Sequence, residues 1–333
     1  PHTYECTLGL IMPVMKGAAV YYLDKLPTPS VLLPALQKIK PTLMLTVPLI
    51  MEKIFKNKIY PTLTANPISK ILYSFLPTRK FLHYIAGKKL YNSFGGKLHF
   101  YGIGGALLSS DVEKFLRDAK FPYAIGYGLT ETSPLIAGAN ASSTKFRSTG
   151  PVLTNIKVRI FEPDPKSGEG EIQVIGDNVM KEYYKDPERT KEVFTDDGWF
   201  KTGDLGIMKN EYLYIKGRMK NVIVGASGEN IYPEDIESVV NQNHNVLESI
   251  VYESESKIVA RVHLNYELID KEQRTKKANE NRMRDFISDL LQEIRSSVNS
   301  QVSSFSSIKK IIEQREPFEK TPTKKIKRYL YTE

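Results

Sequence analysis

The chain has 333 residues, of which 41% are hydrophobic and 26% charged, and its formal net charge is +9. This composition is that of a globular protein and excludes a disordered or fibrous chain, while the length allows about two domains. The longest apolar stretch, residues 8–20, contains Pro13 and Lys16 and is shorter than the roughly 20 residues of a membrane span. The one cysteine, Cys6, excludes an internal disulfide framework and suits a reducing compartment.

The first part of the chain predicts helices that alternate with strands. Apolar residues at mostly helical spacing predict helices across 31–55, which Pro41 and Pro48 should divide. Further on, residues 97–101 alternate between polar and apolar and run into the glycines at 102–105. This pattern predicts a strand that ends in a glycine loop.

A second strand with a glycine loop follows. The capping box formed by Ser110 and Glu113 predicts a helix that ends near Ala119. A short strand at 123–125 then leads into the loop at 126–131. The two strands and the helix between them form a βαβ unit, and open α/β sheets bind ligands at the carboxyl ends of such strands.

From about Gly150 the pattern changes to short β-segments. Residues 156–161 and 171–175 predict two strands joined by a segment rich in turn formers, and 206–208 with 212–215 predict a hairpin. We interpret this region as a small β-barrel or sandwich.

A new unit is predicted after Gly217. It begins with a strand at 222–224 and a helix that starts at Pro233, with acidic residues in the first turn. Two strands are predicted on either side of 255–257, and the charged segment 267–299 predicts one long helix or a helix pair.

Positive charge is concentrated near the C-terminus. Between Lys309 and Arg328 there are eight basic and three acidic residues. Such a segment can bind nucleic acid, an anionic membrane or a phosphorylated ligand, and it can equally be a solvated charged surface.

The loop at 127–132 carries groups suited to a nucleotide. Gly128 lets backbone amides approach an anion, the Thr130 hydroxyl can bind a phosphate oxygen, and Glu131 can hold Mg²⁺. Tyr127 offers a flat face for a base. An ordinary strand-to-helix turn is the alternative interpretation. The histidines and the cysteine show no zinc-ligand spacing, and no nucleophilic triad is recognised.

Two further segments carry candidate polar residues. Gly104-Gly105-Ala106 permits close backbone approach, although a Gly-Gly pair is often a plain turn. Asp204 lies between two glycines and can accept hydrogen bonds from ribose hydroxyls, or it can stabilise a tight turn. Arg218 presents a guanidinium near a domain boundary, and a surface ion pair is the alternative.

The order of these motifs is more specific than any of them alone. The chain reads YGLTE at 127–131, GWFKTGD at 198–204, GRMKN at 217–221 and KIKR at 325–328. In this order it resembles the adenylate-forming (AMP-binding) synthetase superfamily, along essentially the whole chain. The segments HTYE at 2–5, GASGENIYP at 225–233 and TPTKKIKR at 321–328 resemble those of long-chain fatty-acid–CoA ligases.

The resemblance implies an α/β fold with three parts. Residues 1–149 would be the α/β part of a large AMP-binding domain, 150–217 a β-barrel-like subdomain of it, and 218–333 a small mobile α+β domain. The implied enzyme is a cytoplasmic ligase that uses ATP, Mg²⁺ and coenzyme A to activate a fatty acid. Peripheral association with the inner membrane surface is compatible with this assignment, and nucleic acid is not needed to explain the basic tail.

Residue roles follow from the resemblance. The implied nucleotide contacts are Gly104, Gly105, Ala106, Tyr127, Gly128, Thr130, Asp204 and Arg218. Among them Tyr127 would stack on adenine, Thr130 would contact a phosphate and Asp204 would bind the ribose. Glu131 would hold Mg²⁺, and Lys325, with Thr130 and Glu131, would be catalytic.

Two more residues match the second domain of the superfamily. Lys220 falls at the hinge about which this domain rotates, and Gly228 lies in the loop that lines the pantetheine tunnel. The tail reads Thr323-Lys324-Lys325 where many members have Ser-Gly-Lys, so the residues alone leave open which lysine enters the site.

The chain also departs from the superfamily. It lacks the phosphate-binding loop, rich in Ser, Thr and Gly, that lies upstream of the segment matching His2. Since it also begins with Pro1 and not Met, we interpret it as the C-terminal part of a longer protein. Two alternatives remain: another acid-activating enzyme (for aryl or short-chain acids, or loading a carrier protein), and a non-catalytic basic binding module.

Overall fold

A computed structural model of the chain describes residues 2–25, 28–225, 228–274, 280–321 and 325–332. The chain divides into two compact units, Pro1–Ile215 and Lys216–Glu333. Each unit has its own buried apolar clusters. The mixed α/β class predicted from the sequence is confirmed.

The first unit contains most of the helices. They are α1 (Met12–Met15), α2 (Pro29–Ile39), α3 (Pro48–Ile54), α4 (Tyr60–Leu63), α5 (Pro67–Ser74), α6 (Leu76–Ser93), α7 (Ser110–Asp118) and α8 (Pro187–Val193). Wider π-helical turns precede α1 and α4, at Glu5–Ile11 and Phe55–Ile59.

Among the described residues, nine strands begin in this unit. They are β1 (Leu43–Thr46), β2 (Phe100–Ile103), β3 (Tyr123–Tyr127), β4 (Ala137–Gly138), β5 (Gly150–Pro151), β6 (Ile156–Phe161), β7 (Gly170–Gly176), β8 (Phe200–Lys209) and β9 (Tyr212–Arg218).

The first sheet has the order β1-β2-β3-β4. Strand β1 pairs with β2 in parallel, and β2 pairs with β3 in parallel through Tyr101↔Tyr123. The predicted helix over Leu43–Thr46 is therefore wrong. The backbone is extended at Val47, before Pro48, because proline disfavours helical geometry in the residue that precedes it. A short apolar run between prolines does not distinguish a buried strand from a helix.

Helix α7 connects β2 and β3, but its N-terminus differs from the prediction. Ser109, not Ser110, is the N-cap residue, and no side chain caps the helix. Glu113 is fully buried and accepts hydrogen bonds from the Tyr123 hydroxyl (3.0 Å) and from the Arg147 backbone N–H (3.0 Å). Burial raises the pKa of the Glu113 carboxyl, while these hydrogen bonds oppose the rise. The predicted capping box is therefore wrong. Glu113 instead connects α7 to β3 and to the backbone at Arg147 through buried hydrogen bonds.

The second sheet of this unit has the order β5-β9-β8-β7-β6. Strand β6 pairs with β7, and β7 with β8, in antiparallel register. Within the described residues this order is linear, so the region is a sheet with two edges and not a closed barrel. Ile172 and Val174 of β7 are fully buried and pack with Ile136 and Leu213.

The second unit is an α+β arrangement. Its strands are β10 (Ile223–Val224), β11 (Asn230–Ile231), β12 (Val246–Ser254), β13 (Lys257–Leu264) and β14 (Lys310–Glu313), and its helices are α9 (Pro233–Val240), α10 (Tyr266–Arg274) and α11 (Glu280–Asn299). Strand β13 lies between β12, its antiparallel partner, and β14, its parallel partner. The predicted helix pair over 267–299 corresponds to α10 and α11. No helix in the described part of the chain is both long and apolar enough to span a bilayer.

The two faces of the β12–β13–β14 sheet carry separate apolar clusters. One cluster packs against α9 and α11 and includes Val251 and Ile294. The other includes Tyr252 and Phe318, with Tyr331 packed at its edge. The rings of Phe318 and Tyr331 are edge to face with centroids 5.0 Å apart. Residues near the C-terminus therefore complete the second cluster.

Several basic residues of the C-terminal segment have acidic partners inside the same unit. The pairs are Arg315–Glu313, Lys320–Glu248, Lys327–Glu319 and Arg328–Glu237. Two of these partners, Glu313 and Glu319, belong to the segment itself, and Glu237 of α9 and Glu248 of β12 add two negative charges from outside it. This weakens the alternative of a basic binding module, because the paired cations already serve the structure of the unit.

The ion pair between Arg328 and Glu237 is largely buried, with side chains 24% and 13% exposed. Their closest atoms are 2.7 Å apart, and Arg328 also donates to the Val251 carbonyl at 2.5 Å. Burial raises the pKa of Glu237 to about 7 from an ordinary 4.5, although Arg328 opposes the rise. The Glu237 carboxyl therefore binds its proton more tightly in the folded chain than in the unfolded chain. The contribution of protonated Glu237 to the free energy of unfolding declines as pH rises from 4.5 to about 7.

We expect Arg328→Ala to lower the free energy of unfolding by about 2 kcal/mol, because it leaves a buried carboxylate without its cation. The loss should be larger at about pH 8 than at about pH 5, since the pKa of Glu237 rises further without the guanidinium. Urea denaturation followed by circular dichroism measures both effects. Arg315→Ala is the matched control, because Arg315 is 74% exposed in its side chain and such pairs contribute less than about 1 kcal/mol. Equal losses for the two variants would contradict this interpretation.

Candidate functional site

The two glycine loops lie side by side at one edge of the first sheet. Strand β2 ends at Ile103, which is paired with Ile125 of β3. Because the strands are parallel, Gly104 after β2 and the loop after Tyr127 leave the sheet at the same edge. The structure thus brings together two loops, 104–106 and 127–131, that are more than 20 positions apart in the sequence.

Tyr127 and Asp204 are in direct contact although 77 positions separate them. The Tyr127 hydroxyl donates to Asp204 Oδ2 at 2.7 Å. Asp204 lies on β8 and is 4% exposed, and its backbone N–H donates to the Thr202 hydroxyl oxygen at 3.1 Å. A carboxylate therefore lies beside an aromatic ring at the end of β3, which supplies both an acceptor for hydroxyl groups and a flat apolar face.

Glu131 lies in the 3₁₀ turn Thr130–Thr132, which begins three positions after Tyr127. Its carboxylate accepts a hydrogen bond from the Tyr183 hydroxyl at 2.9 Å, and its backbone carbonyl accepts one from the Met180 N–H at 2.7 Å. Burial and the neighbouring Glu131 both raise the pKa of Tyr183, which therefore remains a donor at neutral pH. Tyr183 was not predicted from the sequence, because a contact across 52 positions leaves no local signal.

Gly128 is required by the path of the loop. A Cβ atom at this position would lie 1.7 Å from the Pro134 carbonyl oxygen, well inside van der Waals contact. Nearby, the fully buried Thr132 hydroxyl accepts from the Leu129 N–H at 3.0 Å. Asn178 donates to the Thr132 carbonyl at 2.7 Å. The loop is thus held by its own neighbours, so Gly128 has a structural reason to be glycine.

The loop after β2 has a different restriction. A Cβ atom on Gly104 would lie 3.3 Å from the ring of Tyr4, whose hydroxyl pKa is raised by burial. Gly105 has φ +93°, in the left-handed region that favours glycine. Gly105 and Ala106 are exposed, so their backbone groups are accessible to a ligand.

The donor set fits Mg²⁺ better than a metal held by protein groups alone. Among the described residues, no group of three or more His, Cys, Asp or Glu side chains could hold a metal ion. Mg²⁺ commonly binds through one or two carboxylates together with substrate phosphates and water. The half-buried Glu131 carboxylate can provide one such ligand.

Four of the predicted site residues belong to the second unit. Arg218 is the last residue of β9, and the exposed Lys220 lies in the 3₁₀ turn Met219–Asn221. Gly228 is exposed with φ +84°, in a turn where its N–H donates to the Gly225 carbonyl at 2.9 Å.

Lys325 is exposed, and its backbone N–H donates to the Thr321 hydroxyl oxygen at 3.2 Å. Lys324, the alternative candidate, lies outside the described residues. The choice between the two lysines is therefore still a prediction, and an experiment on both is described below.

Comparison with known proteins gives a family match over more than half of the chain. The profile of the family described as AMP-binding enzyme matches residues 1–184. Two curated relatives have informative names. Long-chain-fatty-acid–CoA ligase 1 of Saccharomyces cerevisiae is 34% identical over 244 residues, which cover 67% of this chain and 34% of that protein. The chloroplastic long-chain-fatty-acid–[acyl-carrier-protein] ligase AEE15 of Arabidopsis thaliana is 34% identical over 189 residues, 51% of this chain and 26% of that protein.

A solved structure with a similar fold is the o-succinylbenzoate CoA synthetase of Bacillus subtilis in complex with its acyl-adenylate intermediate. Its TM-score is 0.71 at 21% sequence identity, and the match covers 98% of this chain and 58% of that protein. At this identity the match shows a shared fold. The chain spans about a third of the length of the yeast relative.

Proposed function

The chain belongs to the AMP-binding enzyme family, and from that membership we propose that it is part of a ligase that activates a long-chain fatty acid. ATP and coenzyme A are the proposed co-substrates. The observation that carries the proposal is the hydrogen bond between Tyr127 and Asp204, with Glu131 four positions after Tyr127, in a chain whose relatives include long-chain fatty-acid–CoA ligases. Because the chain spans about a third of such a relative, the activity proposed is that of the whole protein.

The proposed reaction has two steps. In the first, a carboxylate oxygen of the fatty acid bonds to the α-phosphorus of ATP, and the bond from that phosphorus to the bridging oxygen breaks to release pyrophosphate. In the second, the sulfur of coenzyme A bonds to the acyl carbon, the thiol proton is lost, and AMP leaves. Both steps depend on positioning and on stabilising negative charge, for which fixed hydrogen-bond donors and cations are effective.

The residues of the first unit would bind the nucleotide. Asp204 accepts hydrogen bonds from the ribose, and Tyr127 stacks on adenine beside the loop at 104–106. Thr130 donates to a phosphate oxygen, and Glu131 is a ligand of Mg²⁺. The metal, when bound, neutralises charge on the phosphates.

The second unit would supply mobile groups. Lys325 brings an ammonium to the carboxylate and α-phosphate, and Arg218 binds the ribose or a phosphate. Lys220 is the proposed hinge, and Gly228 lines the passage for pantetheine. A cytoplasmic location with peripheral attachment to a membrane is part of the same proposal, since the acyl substrate is hydrophobic.

A second candidate differs in the acceptor of the acyl group. The Arabidopsis relative is named as a ligase for an acyl carrier protein, so transfer to a carrier is an alternative second step. Thioester formation by the full-length protein with coenzyme A, compared with holo-acyl carrier protein, distinguishes the two. Faster transfer to the carrier protein would favour the second candidate.

Binding of AMP to this chain tests the nucleotide site directly. Isothermal titration should show that Asp204→Asn weakens AMP binding by roughly ten- to a hundredfold, the effect of losing a hydrogen bond to a charged group. Asp197→Asn is the matched control, because Asp197 lies in the same segment but forms an exposed ion pair with Arg159 at 2.8 Å. It should leave the affinity unchanged. Equal effects of both substitutions, or no AMP binding by the unmodified chain, would contradict the assignment of the site.

A further inference from the structure

The loop that follows β2, residues 104–108 (the β2 loop), is held at both of its ends. Three hydrogen bonds do this: from the Gly104 N–H to the Thr46 carbonyl (3.1 Å), from Arg147 Nη1 to the Leu108 carbonyl (2.5 Å), and from the N–H of the next residue, Ser109, to Glu52 Oε1 (2.9 Å). The β2 loop leaves the sheet at the carboxyl ends of parallel strands, where open α/β sheets bind ligands. The protein itself therefore fixes the backbone at this edge.

Arg147 holds the β2 loop from an unusual backbone conformation. Its φ is +64°, in the left-handed region that favours glycine. Its backbone N–H donates to both carboxylate oxygens of the buried Glu113, at 3.0 and 3.1 Å. A glycine would keep these hydrogen bonds and would adopt this φ at lower cost. The arginine side chain adds the hydrogen bond to the carbonyl of the buried Leu108.

The residues after Arg147 attach the same segment to the second sheet. The Ser148 hydroxyl (3.2 Å), the Thr149 N–H (2.9 Å) and the Thr149 hydroxyl (3.0 Å) all donate to the Leu213 carbonyl of β9. Strand β9 is the neighbour of β8, which carries Asp204. Arg147 therefore connects the β2 loop to the sheet that contributes the proposed ribose-binding carboxylate.

We propose that Arg147 is a positioning residue of the nucleotide site, whose guanidinium fixes the backbone of the β2 loop before AMP binds. A loop that is already ordered loses less conformational entropy on binding. Backbone strain of the kind seen at Arg147 persists where surrounding contacts determine the conformation, and such residues cluster at functional sites. The assignment rests on the proposed function, because Gly104, Gly105 and Ala106 are proposed nucleotide contacts.

A purely structural role for Arg147 is the alternative. Its guanidinium satisfies a buried carbonyl, and loss of that hydrogen bond would lower stability whether or not a ligand binds nearby. Arg147→Ala removes the guanidinium and keeps a side chain at positive φ, whereas Arg147→Gly removes the guanidinium and relieves the strained backbone. Arg147→Gly should therefore unfold at a higher urea concentration than Arg147→Ala. The two substitutions thus separate stability from binding.

Isothermal titration of AMP into the 333-residue chain compares the two variants. Both substitutions should weaken AMP binding about fivefold or more, within the range of residues that act on a site through intervening contacts. Arg147→Gly should bind AMP as weakly as Arg147→Ala despite its greater stability. Recovery of AMP affinity together with stability in Arg147→Gly would overturn the proposal.

Hydrogen exchange measures the order of the β2 loop without any nucleotide. The Gly104 and Ser109 amides are hydrogen-bonded at the two ends of the loop, and they should exchange at least about tenfold faster in Arg147→Gly. The amides of β7, in the second sheet, should exchange as before. Unchanged exchange at Gly104 and Ser109 would overturn the proposal, and this measurement does not depend on the proposed reaction.

Lys120→Gly is the matched control. Lys120 is also a basic residue at positive φ (+52°), but it is exposed and lies just after α7. The substitution should raise the urea midpoint, because glycine favours this conformation, and should leave AMP affinity and loop exchange unchanged. An equal loss of AMP affinity in Lys120→Gly and Arg147→Gly would assign the effect to positive charge in general and overturn the proposal.

The titrations also separate the role of Arg147 from the proposed function. Absence of AMP binding by the unmodified chain would contradict the nucleotide site, and the role of Arg147 with it. Equal AMP binding by the unmodified chain and by Arg147→Gly would contradict only the role of Arg147.

Discussion

Replacement of Lys325 by alanine is expected to slow acyl-adenylate formation by roughly 10²–10³-fold, the effect of removing a group that stabilises charge in the transition state. Lys325 is exposed, so packing does not require a lysine at this position. An ammonium on a flexible stem can approach the carboxylate and α-phosphate as negative charge develops, and leave afterwards. Thioester formation from supplied acyl-adenylate should therefore stay almost unchanged.

The measurement separates the two half-reactions in the full-length protein. Pyrophosphate exchange with palmitate reports the first step, and release of AMP from palmitoyl-adenylate and coenzyme A reports the second. Lys324→Ala is the control that decides between the adjacent lysines, and it should affect neither step. Lys327→Ala is a second control, because Lys327 pairs with Glu319 at 3.1 Å. The assignment of Lys325 is wrong if Lys324→Ala and Lys325→Ala lower the rate of pyrophosphate exchange equally. It is also wrong if Lys325→Ala lowers the rates of both half-reactions by the same factor.

Glu131→Gln is expected to have an effect of similar size. The substitution keeps the shape of the side chain and an acceptor for the Tyr183 hydroxyl, but it removes the negative charge that would bind Mg²⁺. We expect the rate of adenylation to fall by roughly 10²–10³-fold and the concentration of Mg²⁺ needed for half-maximal rate to rise.

Two controls separate charge from geometry at this position. Tyr183→Phe removes the hydrogen bond but keeps the carboxylate, so the rate should fall by about tenfold at most. Glu182→Gln changes an exposed carboxylate next to Tyr183 and should have no effect. A Glu131→Gln enzyme that retains nearly normal activity at saturating Mg²⁺ would show that Glu131 only stabilises the turn.

Strands β2 and β3 and the glycine loops that follow them could be predicted because their signals are local. Glycines directly after short apolar runs indicate where strands end, and parallel strands bring such ends to one edge. Strand β1 could not be predicted in this way. Its apolar run is continuous with the next helix, and only its pairing with β2 makes it a strand.

The contacts within the site are the least predictable part. Tyr127 meets Asp204 across 77 positions, and Glu131 meets Tyr183 across 52. Such contacts depend on how β8 and the segment after β7 pack against the first sheet, which no local spacing records. The same reason explains Glu113, whose sequence context suggests a capping box while its partners are Tyr123 and Arg147.

The apolar cluster that contains Tyr252 and Phe318, on one face of the β12–β13–β14 sheet, has a consequence for synthesis on the ribosome. Tyr252 and Val259 on β12 and β13 pack with Phe318 and Tyr331, which are translated some 60–80 positions later. A nascent chain can pair β12 with β13 early, but one face of that hairpin stays uncovered until the later segment emerges. Exposed apolar surface of this kind makes partly made chains prone to aggregation. We therefore expect the second unit to fold late in translation, with nascent chains halted before Phe318 bound by chaperones.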